Sequence, residues 1–221
     1  MGYALRRDLT YCEVSDRLVF LDLAADRYFC LSPGLEAGFR AIAAGYADTS
    51  PTEETRALLL AGLISETPAP TDAPPCASPN PVHRSLLDTQ TGKARPLTIG
   101  LLTGRIAFAR MALRIGRFHQ TILRLSQRKA AIGRGCDVDL LAMRELATQF
   151  EWTARLTQAH DRCLPRSLAL AHHAVTRGWP VDLVIGVQLR PFAAHCWVQA
   201  GSDLLNDRID AVRPFTPILV V

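Results

Sequence analysis

The chain lacks any run of ~18–20 apolar residues, so no membrane-spanning helix is expected. Its first residues, MGYALRRDLTYCEV, lack the apolar core of a secretory signal. Arg6 stands where a myristoylation signal wants Ser or Thr. CxxC is missing too, which removes the usual zinc-ribbon and thioredoxin patterns. The six cysteines, at 12, 30, 76, 136, 163 and 196, are too few and too scattered for a disulfide scaffold. With no export signal, the expected state is reduced thiols in a cytoplasm. No glycine-rich phosphate loop is present, so no nucleotide and no other cofactor is assigned to this chain. Internal repeats are absent.

Acidic residues are missing from one stretch in particular. Residues 91–134 carry ten Lys and Arg and no Asp or Glu, whereas residues 1–70 carry six basic and ten acidic side chains. Opposite fields in two segments indicate two units with different partners.

Proline is concentrated instead. TPAPTDAPPCASPNP, residues 67–81, holds six of the fourteen prolines. Such a stretch is excluded from helix and central strand and reads as a semi-rigid linker. The expected organisation is therefore a domain at 1–66, a linker at 67–82 and a domain at 83–221.

In the first domain, TYCEV, RLVFLDL and DRYFCLS read as strands separated by the turn residues SD and AAD. A helix is expected from Ser32 and Pro33 to Gly45, and a second after Ser50 and Pro51, with Glu54 available for a capping box if the boundary shifts. This makes a small α+β unit.

In the second domain, Arg110, Arg114, Arg117, Arg124 and Arg128 recur at helical spacing within 105–130. Phe108, Met111, Ala112, Ile115, Ile122 and Leu125 form an apolar face, so one amphipathic helix is expected there. A second helix is expected from Asp137 or Asp139, and a third over LPRSLALAHHAVTRG, stopped by Gly178. VDLVIGVQL, AHCWVQA and DLLNDRI follow as three antiparallel strands. The arginine stripe suits a solvated face or an acidic protein partner. No helix-turn-helix or aromatic platform accompanies it, so nucleic acid is not expected as a partner.

Cys163 stands out by position. It precedes Leu164 and Pro165, a combination that marks a helix start. Helix N-termini present unpaired N–H groups and a positive dipole end, and both favour the nucleophilic thiolate. A thiolate nucleophile needs a base, and the base needs an orienting group. His195 falls on one expected strand and Asp207 on the next. An odd loop centred on Gly201 would make them direct cross-strand partners, ~4.5–5.5 Å apart at Cα. A two-residue loop would put them on opposite faces. A triad therefore predicts the odd loop, with Gly201 at positive φ. His172 and His173 lie too far along the same helix to reach the thiol, and His160 reads as a surface residue. Zinc is the competing chemistry, with Cys163, His195, Cys196 and Asp207 as ligand types. Adjacent residues 195 and 196 on a strand point to opposite faces, which disfavours it.

The strings CLPRSLAL, RGWPVDLVIGVQL and PFAAHCWVQAGSDLLND resemble the lasso-peptide biosynthesis B proteins, densely over 150–210 and loosely over 97–150. The resemblance implies a papain- and transglutaminase-like cysteine peptidase that removes the leader of a lasso-peptide precursor. Carried over by position, Cys163 is the nucleophile, His195 the base and Asp207 its partner. Cys196 stands where the family often has alanine, and Gln199 where it often has an acidic residue. The segment YCEV…RLVFLDLAADRYFCLSP resembles the small, winged-helix-like leader-recognition domain of such pathways. Such domains take the leader as an added strand. The edge expected to do so is residues 26–32, with Asp26, Arg27, Tyr28, Phe29, Cys30 and Leu31 as contacts. The implied partners are the precursor's leader peptide and an asparagine-synthetase-like macrolactam synthetase. The alternative function is a non-catalytic module that delivers the precursor to that synthetase.

Overall fold

The computed structural model describes residues 2–45, 51–69, 73–88, 93–132, 139–157 and 163–221. The chain divides into two compact units, Met1–Ala77 and Ser78–Val221.

The first unit contains β1 (Gly2–Leu5), β2 (Leu9–Val14), β3 (Arg17–Asp22), β4 (Arg27–Cys30), α1 (Pro33–Ala43), α2 (Glu53–Leu60) and β5 (Ile64–Thr67). β2, β3 and β4 form one antiparallel sheet in that order, while β1 pairs with β5. The turns fall on SD and AAD. Ser15 and Asp26 both take positive φ, and Asp22 closes the second turn by accepting from the N–H groups of Ala24 and Ala25. The core is aromatic. Phe39 of α1 meets Tyr11 and Phe20 edge-on at 5.1 and 5.0 Å, and Phe29 stacks on Phe20 at 5.2 Å. Buried Glu36 ties α1 to β3, accepting from Leu18 N–H and from Arg17 and Arg40.

Pro33 opens α1 after Ser32, and Gly45 follows its end at φ +76°. α2 begins later than expected: Thr52 is its N-cap, and Thr52 Oγ1 accepts from Thr55 N–H. Ser50 lies outside the described residues. β1 and β5 were not anticipated. Part of the proline-rich stretch lies along β2, where Tyr11 donates its hydroxyl to Ala73 O and Cys76 N–H donates to Tyr11 O.

The second unit contains β6 (Arg84–Ser85), α3 (Pro96–Arg114), α4 (Phe118–Ala130), α5 (Leu140–Thr157), α6 (Cys163–Thr176), β7 (Asp182–Leu189), β8 (Phe192–Ala200), β9 (Asp203–Leu204), α7 (Ile209–Val212) and β10 (Thr216–Val220). As the sequence indicates, α3 to α6 precede four of the five strands of the sheet, but β6 comes before them. The sheet has five strands in the order β10-β7-β8-β9-β6, antiparallel except for β6 against β9. Asp139 caps α5 through the N–H groups of Leu141 and Ala142; Asp137, the other candidate, lies outside the described residues. Gly178 ends α6 at φ +79°. Buried Leu168, Leu170, Ala171 and Ala174 of α6 contribute its share of the core.

Three expectations are corrected. The helix expected across 105–130 is two helices, broken at Gly116 with φ +71°. Of the expected apolar face, Phe108, Met111 and Ile115 are exposed, whereas Ile122 and Leu125 are buried. DLLNDRI is strand only over Asp203–Leu204, because the ladder to β8 ends there. Among the described residues no helix is long and apolar enough to cross a membrane.

Candidate active site

Cys163 is the first residue of α6, half-buried. Pro165 fits the first turn, where its missing N–H costs nothing. From there the thiol reaches β8. It bonds to the His195 side chain and to the backbone N–H groups of Cys196 and Leu164. Burial alone would raise its pKa. The His195 bond, the His195 charge and the two N–H donors outweigh burial, and the thiol lies below its ordinary value.

His195 sits opposite Gly186 in the β7–β8 ladder. Its Nε2 donates to Asp207 Oδ2 at 2.6 Å, which leaves Nδ1 as the ring nitrogen for Cys163. The Asp207 bond and then the Cys163 bond raise its pKa to about 9, against the opposing effect of burial. The two shifts together favour a thiolate–imidazolium pair.

Asp207 is not where strand pairing predicts. Gln199 pairs with Leu204 and Ala200 with Asp203, so the loop is the two-residue Gly201–Ser202, not the odd loop. Gly201 takes the expected positive φ, +57°. Parity would then place residues 195 and 207 on opposite faces. The contact forms because the chain leaves the sheet first. Leu205 N–H still donates to Val198 O, but Val198 N–H donates to the Asn206 side chain rather than to backbone. Beyond that point the alternation rule no longer applies. Asp207 is held separately: its Oδ1 accepts from Arg208 N–H and its carbonyl accepts from Ser85 Oγ at 2.6 Å.

A buried polar chain links the three carriers. Ser167, one turn after Cys163, donates to Cys196 O and accepts from Asn206 Nδ2, both at 2.8 Å. Ser85, Ser167 and Asn206 were not singled out from the sequence. Ser167 carried a signal: a hydroxyl at i+4 from the cysteine within an apolar helix. Trp197 and Phe215 flank the imidazole, with ring centroids 6.2 and 5.2 Å from it. Gly186 leaves room for them, since a Cβ there would lie 2.8 Å from both Phe215 Cβ and Trp197 Cζ3.

The remaining candidates fall elsewhere. Cys196 is 2 % exposed, and burial pushes its thiol far up. Gln199 is buried and fully engaged, accepting from Trp197 Nε1 and donating to the carbonyls of Asn80 and Gly201. His173 is buried against Phe150, and burial, then Arg105 and Arg177, push it down to about 4. His160 lies outside the described residues. Among the described residues no group of three or more His, Cys, Asp or Glu side chains is placed to hold a metal ion. In the other unit, Arg27–Cys30 form β4, which among the described residues pairs only with β3. Asp26 is the preceding turn residue and Leu31 is buried just after the strand.

A family model for the transglutaminase-like superfamily matches residues 105–220, more than half of the chain. Over 45 residues the chain is 42% identical to the Microcin J25-processing protein McjB of Escherichia coli; the match covers 20% of this chain and 22% of that protein. The matched part thus spans about a fifth of that relative's length. No solved structure matches. The two matches support the resemblance to lasso-peptide B proteins, and the chain belongs to the transglutaminase-like superfamily.

Proposed function

We propose that this protein is a cysteine peptidase that binds and removes the leader of a lasso-peptide precursor. The observation that carries the reading is the 2.6 Å bond between His195 and Asp207, with the imidazole also bonded to Cys163 at the start of α6. The Cys163 thiolate attacks the carbonyl carbon at the leader–core junction. The His195 imidazolium gives its proton to the departing amine, and the core peptide leaves. Neutral His195 then takes a proton from water, whose oxygen displaces the thiolate and frees the leader as a carboxylic acid. Asp207 keeps the ring oriented and stabilises its charged form. The Cys163 N–H, at the front of a helix, is a donor for the developing oxyanion.

The N-terminal unit is the winged-helix-like leader-binding domain in this reading. The leader adds as a strand along β4, with contacts from Asp26 to Leu31. Tethering the leader raises the local concentration of the scissile bond. The freed core then goes to an asparagine-synthetase-like macrolactam synthetase, which supplies the ATP chemistry. The setting is a reducing cytoplasm, where the catalytic thiol stays free.

The test is to incubate the full chain with the precursor in H2 18O and weigh the products. Hydrolysis through Cys163 puts one solvent oxygen into the new leader carboxylate. Tight leader binding without any cleavage would favour the delivery-module reading instead. A leader ending in an added amine would mean acyl transfer.

A further inference from the structure

One feature of the second unit stands apart from Cys163. α3, α4 and α6 enclose a cavity of about 500 Å³. Its apolar side is built from Leu101, Phe108, Ala109 and Ala112 of α3 and Ala169 of α6. Phe108 is 76% exposed and Leu101 55% exposed. Met111 of α3 and Ile115, the residue that caps the helix, are both also exposed and continue the same stripe at spacings of three and four. Soluble chains rarely leave a contiguous apolar stripe uncovered without an occupant for it.

The charged side of the cavity has one sign. Arg105, Arg117, Arg124 and Arg128 line it, and no ion pair between any of them and a carboxylate occurs among the described residues. Lys129, next to them in sequence, is by contrast paired with Asp182. The field of these arginines is felt by His172, which also lines the cavity: burial first, then Arg128, Arg105 and Arg124, hold its imidazole below the ordinary value.

The cavity lies on the far side of α6 from the thiol. At ~100° per residue, Ala169 and His172 stand ~240° and ~180° round the helix from Cys163. Ser167, at ~40°, faces β8 with the cysteine. An occupant of this groove therefore leaves the thiol side of α6 open.

We propose that the α3–α4–α6 groove docks an acidic amphipathic helix of a partner protein. Its apolar anchors enter the groove over Phe108 and Leu101, and its carboxylates meet the four arginines. Arginine suits this task because its planar fork takes carboxylates two oxygens at a time. A nucleic acid is the poorer fit. It needs a phosphate track with several stacking rings, and this groove has one phenyl ring on an aliphatic floor.

The experiment titrates the full chain into a fluorescein-labelled peptide of about 18 residues, with Leu at i, i+3, i+4 and i+7 and Glu elsewhere. Two further ligands are a scrambled peptide of the same composition and an oligothymidine of similar length. The expected result is binding of the patterned peptide at least ~10-fold tighter than of the scrambled one, about 1.4 kcal/mol. Phe108→Ser, and separately Arg105→Glu with Arg124→Glu, should each weaken it by about tenfold or more. These side chains are exposed, and an unchanged Tm shows that the variants fold. The proposal is overturned if patterned and scrambled peptides bind equally, if Phe108→Ser leaves the affinity unchanged, or if oligothymidine displaces the peptide. It is also overturned if the chain alone sediments as a dimer that Phe108→Ser dissociates, which would make a second copy the occupant.

Discussion

Asn206 Nδ2 donates to Ser167 Oγ across 2.8 Å, so the residue before Asp207 is tied to the helix that begins with Cys163. Asn206 Oδ1 meanwhile accepts from Val198 N–H on the strand that carries His195. One buried carboxamide thus fixes three elements that the proposed chemistry needs in register.

Removing it has two effects. Asn206→Ala leaves Val198 N–H buried without its acceptor and takes a donor from Ser167, which costs about 2–3 kcal/mol in a denaturant titration. Where the variant still folds, kcat falls by about tenfold while KM changes little, because Asn206 positions Asp207 without contacting the leader. The alkaline limb of its pH–rate profile also moves down. A merely structural residue would leave that limb in place.

The pH dependence itself follows from His195. Its folded pKa, about 9, lies above the ordinary imidazole value. The stability it contributes is complete below about 6.5 and is lost as pH rises through about 9. Cys163 is shifted the other way, so the thiolate–imidazolium pair persists between the two apparent values of the coupled pair. Cleavage should fall off on the alkaline side near pH 9. Asp207→Asn removes the largest upward influence on His195 and should bring that limb down towards the ordinary imidazole range.

Thiol reactivity separates the cysteines. Cys163 should react with iodoacetamide at pH 6–7, read by peptide mass mapping. His195→Ala should slow that reaction by about tenfold or more. Cys12, pushed up to about 12 by burial, and Cys196, buried behind the histidine, should stay unlabelled until the chain unfolds.

Gly186 is required by its neighbours rather than by its backbone. Gly186→Ala would press a methyl against Phe215 Cβ and the Trp197 ring. The expected cost is about 1–3 kcal/mol in thermal or denaturant unfolding. Because both rings flank His195, cleavage should fall as well, even in the folded fraction.

Local chemistry was the legible part of this fold. Ser15–Asp16, Pro33, Asp139 and Gly178 mark turns and helix ends because their side chains or φ preferences act within a few residues. Gly116 was illegible as a break, since an isolated glycine is tolerated inside a helical pattern. The exposure of Phe108 was equally hidden, because periodicity shows which residues share a face but not what covers it. β10 carries Pro217 and a register shift beside it, a pattern that reads poorly as strand although an edge tolerates it. For Asp207, the odd loop was the wrong expectation, because alternation assumed that the ladder continued. It stops where the Asn206 side chain replaces a backbone acceptor, and no pairing rule contains that event.

The most direct measurement is cleavage of the precursor by Cys163→Ala beside the unaltered chain, followed by mass spectrometry with leader binding measured in parallel. The account predicts that the variant binds the leader with unchanged affinity and cleaves it at least ~10³-fold more slowly. Cleavage at the unaltered rate by a chain without the Cys163 sulfur would contradict it.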